Sequence, residues 1–203
     1  MRKTEQKRHS RDAILASAGA LVRERGIRAS SVADVMKGAG LTVGGFYGHF
    51  ASKEALFGET IHGAARALWD ELLAATPDAP PRERALAVLG RYLSRTHRDH
   101  PETGCLLPSV VADVDREGEP YRTALAAELN ALAAPLAALL GPHDGARAEA
   151  LGLIALMYGA LSLSRAVRGT ALSDELLRAG KALGAAALPD VPRGPAAPRE
   201  VDP

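Results

Sequence analysis

The stretch 40–57, GLTVGGFYGHFASKEALF, sets the strictest limits on what this chain can fold into. Glycines at 38 and 40 end one helix, Thr42 opens another of barely two turns, and Ser52 opens a third. Glycine tolerates positive φ, and a hydroxyl side chain satisfies the free N–H groups of a helix start, so these residues mark boundaries. The short helix carries Phe46, Tyr47 and Phe50, aromatic groups able to pin it against its neighbours. Its other face, Thr42, Val43, Gly45, Gly48 and His49, is small or polar and ill suited to a core. A short, anchored helix with a shallow outer face suits insertion into a DNA major groove.

The residues upstream fit the same arrangement. Ile14, Leu15, Ala18, Leu21 and Val22 recur at helical spacing behind a Ser10 cap, and Gly26 stops the pattern. Ser30 or Ser31 caps a second, short helix with Val32, Val35, Met36 and Ala39 facing inward. Two short helices joined by a glycine turn after a longer support form a helix-turn-helix. Residues 1–9 read as a basic, mobile arm long enough to follow a DNA backbone. Through Lys53 there are ten basic and four acidic residues, a charge of +6; the remaining fifteen basic and twenty acidic residues leave −5. Such asymmetry is the footprint of a phosphate-binding end on an acidic body, or else of a solvated basic terminus.

The apolar residues downstream are mainly Ala and Leu, with few β-branched ones, so the expected fold is all-α with about nine helices. A fourth helix runs from Ser52 to about residue 75, the proline-rich 76–81 forms a loop, and a fifth helix spans about 81–98. A sixth begins near Cys105, a seventh covers 120–140 with a kink or break at Pro135, and an eighth covers 146–167. The ninth opens at Ser173 and Asp174 and reaches 188. The expected division is a DNA-binding domain at 1–53, a ligand-binding and dimerisation domain at 54–188, and a disordered proline-rich tail at 189–203. The eighth helix is apolar around most of its circumference, which requires burial on two sides. A four-helix bundle with a second subunit, built on Leu151, Ile154, Tyr158, Leu161, Leu176 and Leu183, would supply this; burial within one chain is the alternative.

Residues 31–57, SVADVMKGAGLTVGGFYGHFASKEALF, resemble the TetR family of bacterial transcriptional regulators. The resemblance implies a homodimer that binds a palindromic operator and lets go when a small-molecule effector enters the C-terminal domain. It places Tyr47, His49 and Lys53 on backbone phosphates. The sequence departs from the family at Met36, where a small alanine is usual, and at Val43 and Gly45, from which other members often donate hydrogen bonds to bases. On the residues themselves, Thr42 and His49 can reach phosphate or base edges and Val43 can pack on a thymine methyl. Discrimination then leans on Ser31, Arg28 or DNA shape. Tyr47 is either a DNA contact or a core aromatic.

Candidate effector-lining residues are Trp69, Tyr92, Thr96, Leu107, Val111, Tyr158 and Ser162, each of which also reads as plain core. Cys105 is expected at the start of the sixth helix, where a helix dipole would favour a thiolate. The Gly-Cys-Leu patch resembles a TetR subgroup whose cysteine senses electrophiles; the alternative is a buried small hydrophobe. His97, His100 and Cys105 have poor metal geometry, so neither metal nor other cofactor is expected. A single cysteine excludes a disulfide framework within the chain. The glycines match no phosphate loop and no paired carboxylates suggest acid–base work, so no enzyme is expected; a helical ligand carrier or enzyme with an incidental basic end is the rival reading. No apolar run of ~20 residues and no apolar leader is apparent, so the expectation is a soluble, cytoplasmic protein.

Overall fold

A computed structural model describes residues 3–188 apart from 75 and 77, and the side chains of these except 3, 64, 65 and 67. The tail 189–203 and the first two residues of the arm lie outside the described residues. Among the described residues the fold is all helical: α1 Lys3–Arg25, α2 Val32–Gly38, α3 Lys53–Ala74, α4 Pro81–Tyr92, α5 Arg95–Asp99, α6 Leu107–Glu117, α7 Tyr121–Leu140, α8 Ala146–Ala166 and α9 Ala171–Ala187. Two 3-10 turns, Val43–Gly48 and Pro101–Thr103, complete it. The described residues fall into two compact units, one within 1–69 and 99–129 and the other within 70–98 and 130–188.

The first unit has a continuous core. Ile14, Ala18 and Val22 of α1 meet Val35 and Met36 of α2, Phe46 and Phe50, Leu56 and Phe57 of α3, and Val110 and Val114 of α6. Met36 is fully buried here, so the larger residue is absorbed by the packing. Gly26 ends α1 with φ +80, and a Cβ there would lie 2.4 Å from Asp113 Oδ2. That close approach lets the Asp113 carboxylate accept hydrogen bonds from the backbone N–H groups of Ile27 (2.7 Å) and Arg28 (3.3 Å). In the second unit α8 and α9 lie side by side, with α4 against both. Ser164 and Ser173 clasp them, each hydroxyl donating to the other residue's carbonyl oxygen at 2.9 and 2.8 Å.

Several boundaries differ from the sequence expectation, each for a local reason. The arm is helical from Lys3, because nothing between Lys3 and Ser10 breaks a helix and extending a formed helix costs little. The expected fifth helix stops at Tyr92, since Ser94 Oγ accepts from His97 N–H at 3.0 Å and starts α5 afresh. α6 begins at Leu107, with Pro108 in its first turn, so Cys105 precedes the helix. α7 runs through Pro135 without a break, giving up only the hydrogen bond that the proline nitrogen cannot make. α9 starts at Ala171; the Ser173 hydroxyl is engaged with Ser164, and Asp174 takes Arg95 (2.5 Å) and Arg98 (2.7 Å).

The expectation that no segment reaches membrane-spanning length is also corrected. α7 and α8 are long and apolar enough by length and composition, with mean hydropathy 1.5 and 1.3. Alanine raises these averages although Glu128 and Glu149 interrupt the two segments. A buried helix of a folded domain passes the same test.

Candidate nucleic-acid interface

The element expected in the major groove is built from its caps inward. Ser31 Oγ accepts from Asp34 N–H at 3.1 Å and donates to the Asp34 carboxylate at 2.6 Å, closing the start of α2. This bond first, and then Arg25 at 2.8 Å, holds the Asp34 carboxyl below the usual range. α2 ends in a Schellman turn: Gly40 at φ +70 donates to the Lys37 carbonyl and Leu41 to that of Met36, at 3.0 and 2.9 Å. The chain then enters Val43–Gly48, a 3-10 helix rather than an α-helix. Three glycines in six residues give little α-helical preference, and aromatic anchoring supplies the order instead. Phe46 (1% exposed) and Phe50 (4%) stack with ring centroids 5.9 Å apart, and the Arg11 guanidinium lies 4.6 Å over the Phe50 ring. Arg11 is itself fixed by a two-pronged ion pair with Glu59, which raises its pKa.

What remains outside is the candidate interface. Thr42, which precedes this element, and Val43, Gly45 and Tyr47 within it are exposed, and the Thr42 hydroxyl caps nothing. Tyr47 is 78% exposed, packing only the edge of its ring against Phe46 at 5.2 Å, so the core-aromatic alternative fails. Val43 is 51% exposed. His49 is half-buried, with Nδ1 buried and lacking a hydrogen-bond partner. Lys53, the first residue of α3, is half-buried with Nζ 5.6 Å from the Phe57 ring centre. Ser31 is exposed, but its only hydroxyl hydrogen is committed to Asp34. Arg28 is exposed in the turn that Asp113 holds, away from the recognition element in sequence.

One contribution escaped the sequence reading. Gln6, Lys7 and Ser10 of α1 line a shallow cleft with Gly48 and His49. With the arm taken as irregular, these side chains could not be assigned a common face. No glycine or proline interrupts Lys3 to Ser10, and that signal would have placed them.

The remaining nominated residues fall elsewhere. Trp69, Cys105, Leu107 and Val111 belong to the first unit; Tyr92, Thr96, Tyr158 and Ser162 belong to the second. Trp69, Cys105 and Leu107 are buried, Val111 is half-buried and Thr96 is exposed. Tyr92 is buried, and its carbonyl accepts from His97 Nδ1–H at 2.7 Å; burial lowers the His97 pKa. The Ser162 hydroxyl is buried without a hydrogen-bond partner. In the second unit, Leu89, Leu136, Leu153 and Met157 border a void of only about 10 Å³, near the lower limit for one water. Of the nominated dimer residues, Leu183 (62%) and Leu151 (36%) are exposed, and Tyr158 and Leu176 are half-buried. Ile154 and Leu161 are corrected: at 5% and 0% exposure they are already spent inside the chain, being on the face of α8 that turns to its own core. Leu163 (57%) and Leu172 (51%) are exposed on the same helix pair.

Residues 14–60 match the family model described as bacterial regulatory proteins, tetR family. Over 53 residues the chain is 45% identical to the HTH-type transcriptional repressor KstR2 of Mycobacterium tuberculosis, a match covering 26% of each protein. It is 40% identical over 60 residues to the KstR2 of Rhodococcus jostii, covering 30% of this chain and 29% of that one. Residues 14–60 therefore carry the TetR-type DNA-binding region. The matched segment thus spans about a quarter of those repressors' length, and the remainder rests on structure. E. coli NemR in its reduced form superposes with TM-score 0.75 at 25% identity, over 90% of this chain and 98% of its own. A TetR regulator from Chloroflexus aurantiacus superposes with TM-score 0.73 at 22% identity over 92% and 98%, a likeness of fold. These relatives are described as regulators of transcription.

Proposed function

We propose that this protein is a one-component transcriptional repressor that binds a palindromic operator as a homodimer and is released by a small hydrophobic or electrophilic effector. The observation that carries the reading is that Thr42, Val43, Gly45 and Tyr47 are exposed while Phe46 and Phe50 of the same stretch are buried. Glycine lets the element approach the groove, Val43 offers methyl groups to thymine, and Tyr47, His49 and Lys53 take phosphates. Gln6, Lys7 and Ser10 extend the phosphate contacts along α1. Repression follows the KstR2 likeness of this segment.

Dimerisation uses the exposed leucines of α8 and α9, which pair with their copies. Operator half-sites lie ~34–36 Å apart, so an effector that changes the separation of the two recognition elements by a few ångströms puts them out of register. Trp69, Tyr92, Thr96, Leu107, Val111, Tyr158 and Ser162 are the effector residues of this reading, with Cys105 as the site of electrophile attack. Arg23 lies beside it, donating from Nε to the Gly104 carbonyl at 2.8 Å. The protein acts in the cytoplasm, where its DNA is.

The test is a fluorescence-anisotropy titration against DNA from upstream of its own gene at several salt concentrations. A sequence-selective complex that weakens steeply with salt is expected. Absence of any selective complex, with or without candidate effectors, would return the chain to the carrier or enzyme reading.

A further inference from the structure

We propose that the cleft between α1 and α3 binds a small carboxylic acid with an apolar body, its carboxylate seated on Arg23. The cleft lies wholly within the first unit, and none of the residues nominated for effector binding lines it. Its volume is about 420 Å³, inside the ~300–1,000 Å³ range of small-molecule sites. Leu15, Ala16 and Gly19 form the α1 wall, and Gly63 forms part of the α3 wall. Position 63 faces open space, since a Cβ there would meet nothing within 4 Å.

The polar groups around this space are engaged with neighbours, with one difference. Glu59 is held by both prongs of Arg11. His62 pairs at 2.9 Å with Glu128, whose carboxylate is fully buried. The Thr60 hydroxyl donates to the Leu56 carbonyl at 2.8 Å. Arg23 differs: its Nε is used by the Gly104 carbonyl, but its two Nη groups donate to no acceptor among the described residues. Nη1 lies beside Gly19, 3.2 Å from where a Cβ would be. The guanidinium is half-buried, and burial lowers its pKa against the opposing pull of Cys105, so it gives up hydration with no carboxylate in return. A planar fork of two free N–H groups at the end of an apolar trough matches a carboxylate, which accepts two parallel bonds. A phenyl or alkyl body then covers Leu15 and Ala16.

Occupancy bears on DNA binding, and for that consequence alone the inference rests on the operator reading. α1 holds α2 through Ser17 Oγ, which donates to the Val35 carbonyl at 2.8 Å, and α3 opens on Lys53. A body lodged between α1 and α3 therefore pushes on both supports of the recognition element.

The test is calorimetric titration of the full-length protein with decanoate and with decan-1-ol. Decanoate should bind saturably and about tenfold or more tighter than the alcohol. Arg23→Gln should reduce decanoate to the affinity of the alcohol. Gly63→Leu, which fills the cleft from an open position, should abolish binding of both while the helical circular-dichroism spectrum persists. No saturable binding of decanoate, equal affinity for acid and alcohol, or full retention in Gly63→Leu would overturn the proposal. Anisotropy with operator DNA separates the two readings: decanoate binding with no DNA complex sinks the operator reading and leaves the cleft, whereas a DNA complex with no decanoate binding does the reverse.

Discussion

Two exposed faces of this molecule are built on opposite terms. The recognition element turns its bulky aromatics Phe46 and Phe50 inward and shows water a row of small groups with one tyrosine. The α8–α9 pair turns Ile154, Leu161 and Leu177 inward and still shows water Leu151, Leu163, Leu172 and Leu183. The first face loses little by remaining hydrated, so it suits a partner that is itself polar and charged. The second leaves apolar surface hydrated, so it is complete only when another apolar surface covers it. Exposure alone does not distinguish them; the chemistry of what is exposed does.

The largest effect expected from disturbing this contrast is at Leu183. Leu183→Glu places a charge on the apolar face and should cost an association hot spot about 2 kcal/mol or more, moving the protein toward monomer in analytical ultracentrifugation. An unchanged mass would mean that this face is not what joins two copies.

Next is the seam beneath that face. A Cβ on Gly180 would lie 2.7 Å from the Ala160 Cβ and 3.0 Å from Leu93 Cδ1, with the alanine unable to turn aside. Gly180→Ala should cost about 1–3 kcal/mol, read as a fall in Tm. Gly184→Ala meets Leu89 methyls at 2.8 and 2.9 Å, and the flexible leucine can rotate away, so its penalty should be the smaller of the two. The reverse order would show that the helices part rather than the side chains.

At the recognition face the contrast predicts a loss of function without a loss of fold. Tyr47→Ala should weaken operator binding about tenfold, roughly 1.4 kcal/mol, and leave Tm unchanged, because the ring is mostly in water. A lowered Tm would put Tyr47 back among the structural aromatics.

The smallest effect concerns pH and the second unit. Burial lowers the folded His97 pKa below the ordinary value of ~6.5. Below that value the unfolded chain takes up a proton that the folded chain resists, so the stability contribution is full above pH ~6.5 and declines as pH falls toward the folded pKa. The Tm of the wild type should therefore drop more than that of His97→Gln between neutral and mildly acidic pH. Parallel curves would show that the ring titrates alike in both states.

Much of this was legible in the residues. The order of helices, the caps at Ser31 and Ser52, the glycine stop at Gly40 and the separation of Phe46 and Phe50 from Val43 and Gly45 follow from local chemistry, which neighbours in sequence carry by themselves. The helical state of Lys3 to His9 was legible too, but charge was read where helix preference mattered.

Other features needed the folded chain because they depend on residues far apart in sequence. Asp113 reaches the turn after α1 across 86 residues, so the Gly26 requirement has no local signature. Helical spacing alone grouped Ile154 and Leu161 with Leu151, although packing on α9 and α4 sends the first two inward and leaves the third in water. Tyr47 could be called core or contact until Phe46 occupied the space beneath it. A sequence declares which faces are apolar and where helices start; only tertiary packing decides which apolar groups are satisfied, because burial belongs to pairs of surfaces and not to single residues.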